Sequence, residues 1–144
     1  MSKKLLSEQD CVFCSIVTAP SNASVVFEDR DSLCFLDTRP LFPGHCLLIP
    51  KPHIQTLMEM PEELLAPMFA NARRLSVAVQ TAMRSQGVFV AMNNVVSQSV
   101  PHLHVHIVPR NRGDGLKGFF WPRQHYQDAA HQEQVRSRIA AAVS

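Results

Sequence analysis

The sequence predicts a domain of mixed α and β structure, and three observations support this prediction. Residues 100–110 alternate histidine with apolar, mostly β-branched residues, which is typical of a strand. Residues 61–86 carry apolar side chains at helical spacing. The 144 residues are 46% hydrophobic and 18% charged, which is sufficient for one soluble globular domain with a buried core. Strands and at least one long helix are therefore expected to share a core.

Composition also narrows the classes of function. The formal charge of +2 is close to neutral, so we expect neither a nucleic acid nor a membrane surface as partner. No apolar run approaches the ~20 residues of a membrane span. The polar residues 7–10 interrupt the basic start before a secretory segment forms, so a cytoplasmic protein is expected. Without repeats or linkers, residues 1–144 are expected to form one domain, with a flexible segment at 1–10 and a C-terminal loop and helix at 111–144.

The remaining elements follow in order along the chain. Strands are predicted at residues 24–29, 32–37, 45–50, 88–93 and 100–110, and helices at 61–86 and 128–143. The first two strands form a hairpin around the turn at 30–31. Pro67 is expected to bend the long helix, Gly87 to end it, and Asp128 to cap the closing helix.

Three histidines on the predicted last strand are the main chemical feature of the sequence. Because strand side chains alternate between faces, His102, His104 and His106 should share one face and stand roughly 6.5–7 Å apart. Mutual repulsion should keep some of them neutral near pH 7, as a nucleophile, base or metal ligand must be. The alternatives are a solvated strand that happens to carry histidine, or joint binding of one metal ion by all three rings.

Four cysteines in a chain of this kind indicate reduced thiols or metal binding and argue against a disulfide framework. Cys34 and Cys46 lie in apolar runs and are expected to be core thiols. Cys11 and Cys14 have the spacing that one tetrahedral zinc ion accepts, although a redox pair has the same spacing. Completing a zinc site requires ligands from elsewhere, and imidazoles are the obvious supply.

The segment His102-Leu103-His104-Val105-His106-Ile107-Val108, preceded by Gln98-Ser99-Val100, resembles the signature of the histidine triad superfamily of nucleotide hydrolases and transferases. The resemblance covers residues 11–110. It implies an α+β fold, namely a mainly antiparallel sheet with one long helix packed on it, usually as a homodimer. It also implies a purine nucleotide as ligand and attack of His104 on the α-phosphorus.

The same resemblance assigns roles to further residues. In the branch that begins with paired cysteines, it implies a structural zinc ion, one per chain, held by Cys11, Cys14, His53 and His102. It implies a nucleotide site with catalytic contributions from Gln98, Ser99, His104 and His106, and nucleotide contacts from Asp37, His45, Asn93, Asn94, Gln98, His104 and His106. Without the resemblance, Asp37 would be interpreted as a turn cap and His45 as a strand-end residue.

One stretch departs from the family pattern. Only three residues separate Asn94 from Gln98, where the family has a longer, glycine-rich loop, and Ser97 stands where glycine is usual. Residues 106–110 with the following Gly-Asp resemble the branch that cleaves dinucleoside polyphosphates, whereas Ser99 resembles the nucleoside phosphoramidase branch. We expect the first activity, with magnesium only as a companion of a polyphosphate substrate. A non-catalytic nucleotide-binding module is the alternative of another class.

The aromatic run around Trp121 offers no assignment of its own. Trp121 follows Phe119 and Phe120, and such a cluster is expected to pack in the core or an interface more often than to stack on a base.

Overall fold

A computed structural model describes residues 10–116 and 123–143. The chain divides into two compact units, one ending at Arg112 and the other beginning at Gly113. The single domain expected from the sequence stays a prediction. The expectations for a flexible N-terminus and for the aromatic cluster at Trp121 fall on residues 1–9 and 117–122, outside the described residues.

Within its described residues, 10–112, the first unit contains two α-helices and five strands. The helices are α1 (Val12–Thr18) and α2 (Glu62–Met83), and the strands are β1 (Val25–Glu28), β2 (Ser32–Leu36), β3 (Cys46–Pro50), β4 (Gly87–Ala91) and β5 (Val105–Arg110). All neighbouring strands are antiparallel, in the order β1-β2-β3-β5-β4. The α+β fold with a mainly antiparallel sheet and one long helix is therefore confirmed.

The central strands of the sheet, β2, β3 and β5, are buried on both faces. On one face, α2 packs Met68, Leu75 and Val79 against a core that includes Leu103 and Ile107. On the other face, Leu33, Phe35, Leu47 and Ile49 pack with Cys11 and Phe13 of the N-terminal segment. The long helix therefore covers one face and α1 covers part of the other, which is the face that carries the histidine rings. Cys34 and Cys46 are buried core thiols, as predicted.

The last strand is shorter than the sequence predicts. It begins at Val105, so His102 and His104 precede the strand, although we predicted that they lie within it. Strand β3 pairs with β5 only at Cys46, Leu47 and Leu48. Pro50 ends β3 and has no N–H to extend the ladder, and Leu103 instead donates its N–H to the carbonyl of Ile54 at 2.7 Å. Leu103, Val105 and Ile107 nevertheless face the α2 side, as the alternation predicts.

Helix α2 contains Pro67, as predicted, but its end was predicted wrongly. Arg84 takes the left-handed conformation at φ 52° and caps the helix, whereas Gly87 already begins β4. The N–H of Ser85 bonds to the carbonyl of Gln80, which satisfies part of the last turn.

The second unit contains helix α3 (Ala129–Ala142). The Asp128 carboxylate accepts a hydrogen bond from the N–H of His131 at 2.7 Å, so the predicted N-cap is confirmed. Within residues 10–116 and 123–143, every helix is too short or too polar to span a lipid bilayer.

Candidate functional site

The histidine rings gather on the face of the sheet that α1 covers. The ring centroids of His104 and His106 lie 5.0 Å apart, and Phe13 of α1 makes edge contacts with the rings of His102 and His104. His102 is fully buried and His104 is 3% exposed. This burial excludes the alternative of a solvated strand that displays its histidines to water.

The backbone fixes which nitrogen of His104 carries the proton. Its Nδ1 lies 2.8 Å from the carbonyl oxygen of His102. A carbonyl oxygen only accepts, so Nδ1 donates and holds the proton. In the neutral ring, Nε2 then carries a free lone pair. His104 is therefore held in the tautomer that a nucleophilic imidazole needs.

A second chain of hydrogen bonds sets the opposite tautomer in His106. The N–H of Leu41 donates to Nδ1 of His45 at 3.0 Å, so the proton of the neutral His45 ring lies on Nε2. That Nε2 lies 2.9 Å from Nδ1 of His106 and donates to it. The proton of the His106 ring consequently lies on Nε2. One ring of the pair is thus prepared to attack and its neighbour to donate a hydrogen bond.

Burial keeps these rings neutral. Desolvation, reinforced by nearby His104 and His45, lowers the pKa of His106 to about 4. Burial also lowers the pKa of His45, although the Asp37 carboxylate acts in the opposite direction. The His45 Nε2 lies 3.7 Å from Oδ2 of Asp37, which favours a proton on that nitrogen. Both rings are therefore uncharged at pH 7, as the tautomer assignment requires.

Four candidate metal ligands meet behind the triad. The ligand atoms of Cys11, Cys14, His53 and His102 all lie within 4.8 Å of one another. Nδ1 of His102 is 3.4 and 3.5 Å from the two sulfurs, and Nδ1 of His53 is 3.1 Å from the sulfur of Cys14. The structure therefore brings together all four residues that the sequence predicts.

The donor set fits a zinc ion. Nε2 of His102 lies 2.8 Å from the carbonyl oxygen of Pro50 and donates to it, which leaves Nδ1 unprotonated and facing the thiols. Two sulfur and two nitrogen donors are the ligands of structural zinc sites. Four protein ligands leave no open position for water, so a bound zinc ion would tie the start of α1 to His102 without entering the chemistry.

Asp37, His45 and His106 form a second cluster of possible ligands, but hydrogen bonding argues against a metal there. Nδ1 of His45 already accepts the N–H of Leu41, so its Nε2 must keep its proton and has no lone pair for a cation. This cluster is therefore a hydrogen-bonded chain. Joint binding of one metal by the three triad histidines is likewise unsupported, because their rings have separate partners.

A cleft of about 490 Å³ opens beside His104 and His106, within the usual range for small-ligand sites. Its apolar wall comes from α1 and β2 and includes Phe13, Ile16 and Phe35. Its polar side chains include Asp37, Arg39, Ser99, His104 and His106. An aromatic base suits the apolar wall, and sugar and phosphate groups suit the polar end.

Asp37 caps a turn and also lines the cleft, so its position agrees with both roles considered for it from the sequence. Its Oδ1 accepts the N–H of Arg39 at 2.9 Å, which is the turn-capping role. Its Oδ2 faces His45, and the side chain lines the cleft. The carboxylate is therefore held in place by the turn while part of it remains available to a ligand.

Polar side chains of the short loop between β4 and the triad make hydrogen bonds to nearby backbone groups. The amide of Gln98 accepts the N–H of Val95 at 3.1 Å and donates to the carbonyl of Gln55 at 2.6 Å. Asn94 accepts the N–H of Leu57, and Asn93 donates to the carbonyl of Ser97. Of the predicted residues in this loop, Ser99 lines the cleft, while these three brace the loop. Their nucleotide contacts stay predictions.

The backbone of this loop has the shape that glycine would normally supply. Val95 and Ser97 have φ values of 72° and 61°, in the left-handed region. Such angles cost a non-glycine residue of order 1–2 kcal/mol, and more for a β-branched one. Ser97 stands at the position where the family pattern has glycine. The bracing amides of Asn93 and Gln98 hold the strained turn in place.

Sequence reasoning missed two parts of the site. Helix α1, which supplies one wall of the cleft, was not predicted, although the Cys11–Cys14 spacing is one helical turn and could have indicated it. Arg39, which also lines the cleft, was not singled out. Its position two residues after Asp37, in the turn capped by that carboxylate, is the signal that was available.

Comparison with known proteins supports this geometry. A family model described as "HIT domain" matches residues 19–113. The chain is 40% identical over 111 residues to "Adenylylsulfatase HINT3" of Arabidopsis thaliana, a match that spans 76% of this chain and 56% of that protein. It is 33% identical over 128 residues to "Adenosine 5'-monophosphoramidase HNT1" of Saccharomyces cerevisiae, spanning 86% and 77%.

A solved structure of similar fold bears on the metal site. The crystal structure of a zinc-bound histidine triad family protein from Mycobacterium smegmatis aligns with a TM-score of 0.72 and 33% identity. The alignment covers 94% of this chain and 96% of that one. The zinc is a property of that protein, and it agrees with the donor set formed here by Cys11, Cys14, His53 and His102.

We expect purified protein to contain about one zinc ion per chain, because two thiolates and two imidazoles form a closed tetrahedral site. Cys11→Ser should lower the zinc content to less than about a tenth of an ion, since the remaining three ligands bind far more weakly. Elemental analysis after gel filtration gives the ratio. Cys34→Ala is the matched control, because this thiol lies in the core away from the site. Less than about a tenth of a zinc in the wild type would contradict the site.

The His106 ring should stay neutral down to about pH 4, well below its ordinary 6.5. Between pH 6.5 and about 4, the unfolded chain binds a proton at this ring and the folded protein does not. The free energy of unfolding therefore falls as the pH falls through this range. Above pH 6.5 the ring is neutral in both states, and its contribution to stability is complete. A ring-proton NMR titration of the folded protein, assigned with His106→Gln, measures the pKa. A midpoint at or above 6 would contradict the burial argument.

Proposed function

The chain belongs to the HIT domain family, and from this membership we propose that it is a nucleotide hydrolase that acts at the α-phosphate through a nucleotidyl-His104 intermediate. The observation that carries the proposal is the pair of opposite tautomers. The bond from His104 Nδ1 to the carbonyl of His102 leaves Nε2 free to attack, and the bond from His45 leaves His106 with Nε2–H as a donor.

The reaction proceeds in two displacement steps. Nε2 of His104 attacks the α-phosphorus, a nitrogen–phosphorus bond forms, and the bond to the leaving group breaks. The N–H of His106 and the hydroxyl of Ser99 donate hydrogen bonds to the phosphoryl oxygens or the departing atom. Water then attacks the phosphorus, releases the nucleoside monophosphate and a proton, and restores neutral His104. Both steps require uncharged rings, and the low pKa of His106 meets this requirement at pH 7 for that ring.

Substrate recognition follows from the division of the cleft. The apolar wall formed by Phe13, Ile16 and Phe35 accepts a base, and the Asp37 carboxylate accepts hydrogen bonds from ribose hydroxyls. We propose dinucleoside polyphosphates as the preferred substrates, as the segment 106–110 indicates. Adenylyl sulfate and adenosine phosphoramidate are the alternatives that the names of the two relatives suggest. The nucleotide contacts of His45, Asn93, Asn94 and Gln98 belong to the same proposal.

Three further expectations accompany this proposal. They are a homodimer, a cytoplasmic location and a magnesium ion that accompanies a polyphosphate substrate; each stays a prediction.

The test is turnover of a substrate panel. His104→Ala should lower kcat/KM for diadenosine tetraphosphate by about 10³-fold or more, because no other group supplies the nucleophile. Nucleotide binding and the far-UV circular dichroism spectrum should remain, since the apolar wall and the core are unchanged. His125→Ala is the control, because His125 is exposed and lies in the second unit. Brief mixing with substrate followed by denaturation should trap the nucleotide on His104.

Two outcomes would contradict the proposal. Wild-type protein that binds AMP but consumes neither diadenosine tetraphosphate, adenylyl sulfate nor adenosine phosphoramidate would indicate a binding module. Full activity of His104→Ala would place the nucleophile elsewhere.

A further inference from the structure

Arg39 is a charged residue of the cleft to which the proposed reaction gives no role. It lies in the turn after β2 and is one of the residues that line the cleft beside His104 and His106. Its backbone is held firmly, because its N–H donates to Oδ1 of Asp37 at 2.9 Å. The same carboxylate faces His45, which is hydrogen-bonded to His106. The turn that carries Arg39 is therefore connected to His106 through Asp37 and His45.

The Arg39 guanidinium makes no hydrogen bond or ion pair with the described residues, 10–116 and 123–143. A guanidinium offers five N–H donors in a planar arrangement that matches phosphate and sulfate oxygens. Arg39 is thus free to take an anionic group that enters the cleft.

The charges of the residues that line the cleft show why the Arg39 guanidinium matters for binding an anion. Among the described residues that line the cleft, Arg39 is the only Lys or Arg and Asp37 the only acidic residue. The ring of His106 adds no positive charge at pH 7, because its pKa is about 4. A nucleotide joined to a phosphate or sulfate group brings at least two negative charges. Arg39 is the cationic side chain that the lining of the cleft offers to the second charge, and a charge-assisted hydrogen bond is stronger than one from a neutral donor.

We propose that Arg39 binds the anionic leaving group, that is, the β-phosphate of a polyphosphate or the sulfate of an adenylyl sulfate. This inference rests on the proposed function and makes Arg39 the residue that distinguishes anionic from neutral leaving groups. An amine released from a phosphoramidate carries no negative charge and does not need the guanidinium. The chain should consequently favour phosphate and sulfate anhydrides over phosphoramidates.

A binding experiment tests the inference without relying on turnover. In a His104→Ala background, ADP and AMP differ by the β-phosphate, which occupies the position of the leaving group. Arg39→Gln should weaken ADP binding about tenfold and change AMP binding by less than about twofold, as expected for loss of one charge-assisted contact. Calorimetric titration in zinc-loaded protein measures both. Arg30→Gln is the matched control, because the Arg30 side chain is 94% exposed in the turn between β1 and β2 and does not line the cleft.

A kinetic comparison provides the second readout. In the otherwise wild-type protein, Arg39→Gln should lower kcat/KM for adenylyl sulfate about tenfold and leave that for adenosine phosphoramidate within about twofold. Arg39→Lys should recover part of the loss, because it keeps the charge but not the planar geometry. Added salt should weaken ADP binding by the parent protein more than by the variant.

The outcomes separate this inference from the proposed function. Equal losses for AMP and ADP would place Arg39 at the α-phosphate or the sugar, and no loss for either would remove it from the site; both results would overturn the inference. If the wild type consumed none of the substrates, the proposed function would fail, and the ADP and AMP titrations would still decide the role of Arg39.

Discussion

The site depends on one residue, His102, whose ring and backbone carbonyl each hold a different part of it. Its ring donates from Nε2 to the carbonyl of Pro50 and presents Nδ1 to Cys11 and Cys14. Its own carbonyl accepts from Nδ1 of His104 and so fixes the tautomer of the proposed nucleophile. Because the side chain is held from two directions, the carbonyl beside it has little freedom. The metal-ligand cluster and the chemical site therefore share one rigid residue, with no intervening loop.

The same arrangement explains why the N-terminal helix belongs to the site. Cys11 caps α1 by accepting the N–H of Cys14, and both cysteines are metal-ligand candidates. Phe13, between them, contacts the rings of Phe35 and His104. An isolated helix of seven residues is unstable in water, so its position must come from tertiary contacts. Fixing the two thiols fixes Phe13, and with it one wall of the cleft and one side of the His104 ring.

Much of this organisation could be predicted from the sequence, because it rests on local periodicity and on fixed ligand spacing. The hairpin of β1 and β2, the long helix, the capped closing helix and the paired spacing of Cys11 and Cys14 are of this kind. His53 and His102 were identified as the other two ligands only through the family resemblance. Other features depend on neighbours distant in the chain. The start of β5 at Val105 depends on Pro50 in another strand, and the position of α1 depends on contacts of Phe13 with Phe35 and His104. Val95 and Ser97 have left-handed backbone angles, which residues other than glycine rarely adopt. Side-chain hydrogen bonds of Asn93 and Gln98 hold them there, and local sequence rules do not predict these bonds.

The central claim is that the carbonyl of His102 determines the protonation of His104. Nitrogen-15 NMR of the imidazole rings tests it most directly, because protonated and unprotonated ring nitrogens have clearly different chemical shifts. For the folded protein near neutral pH, the account predicts that His104 carries its proton on Nδ1 and has a bare Nε2. A proton on Nε2 of His104 with a bare Nδ1 would contradict it.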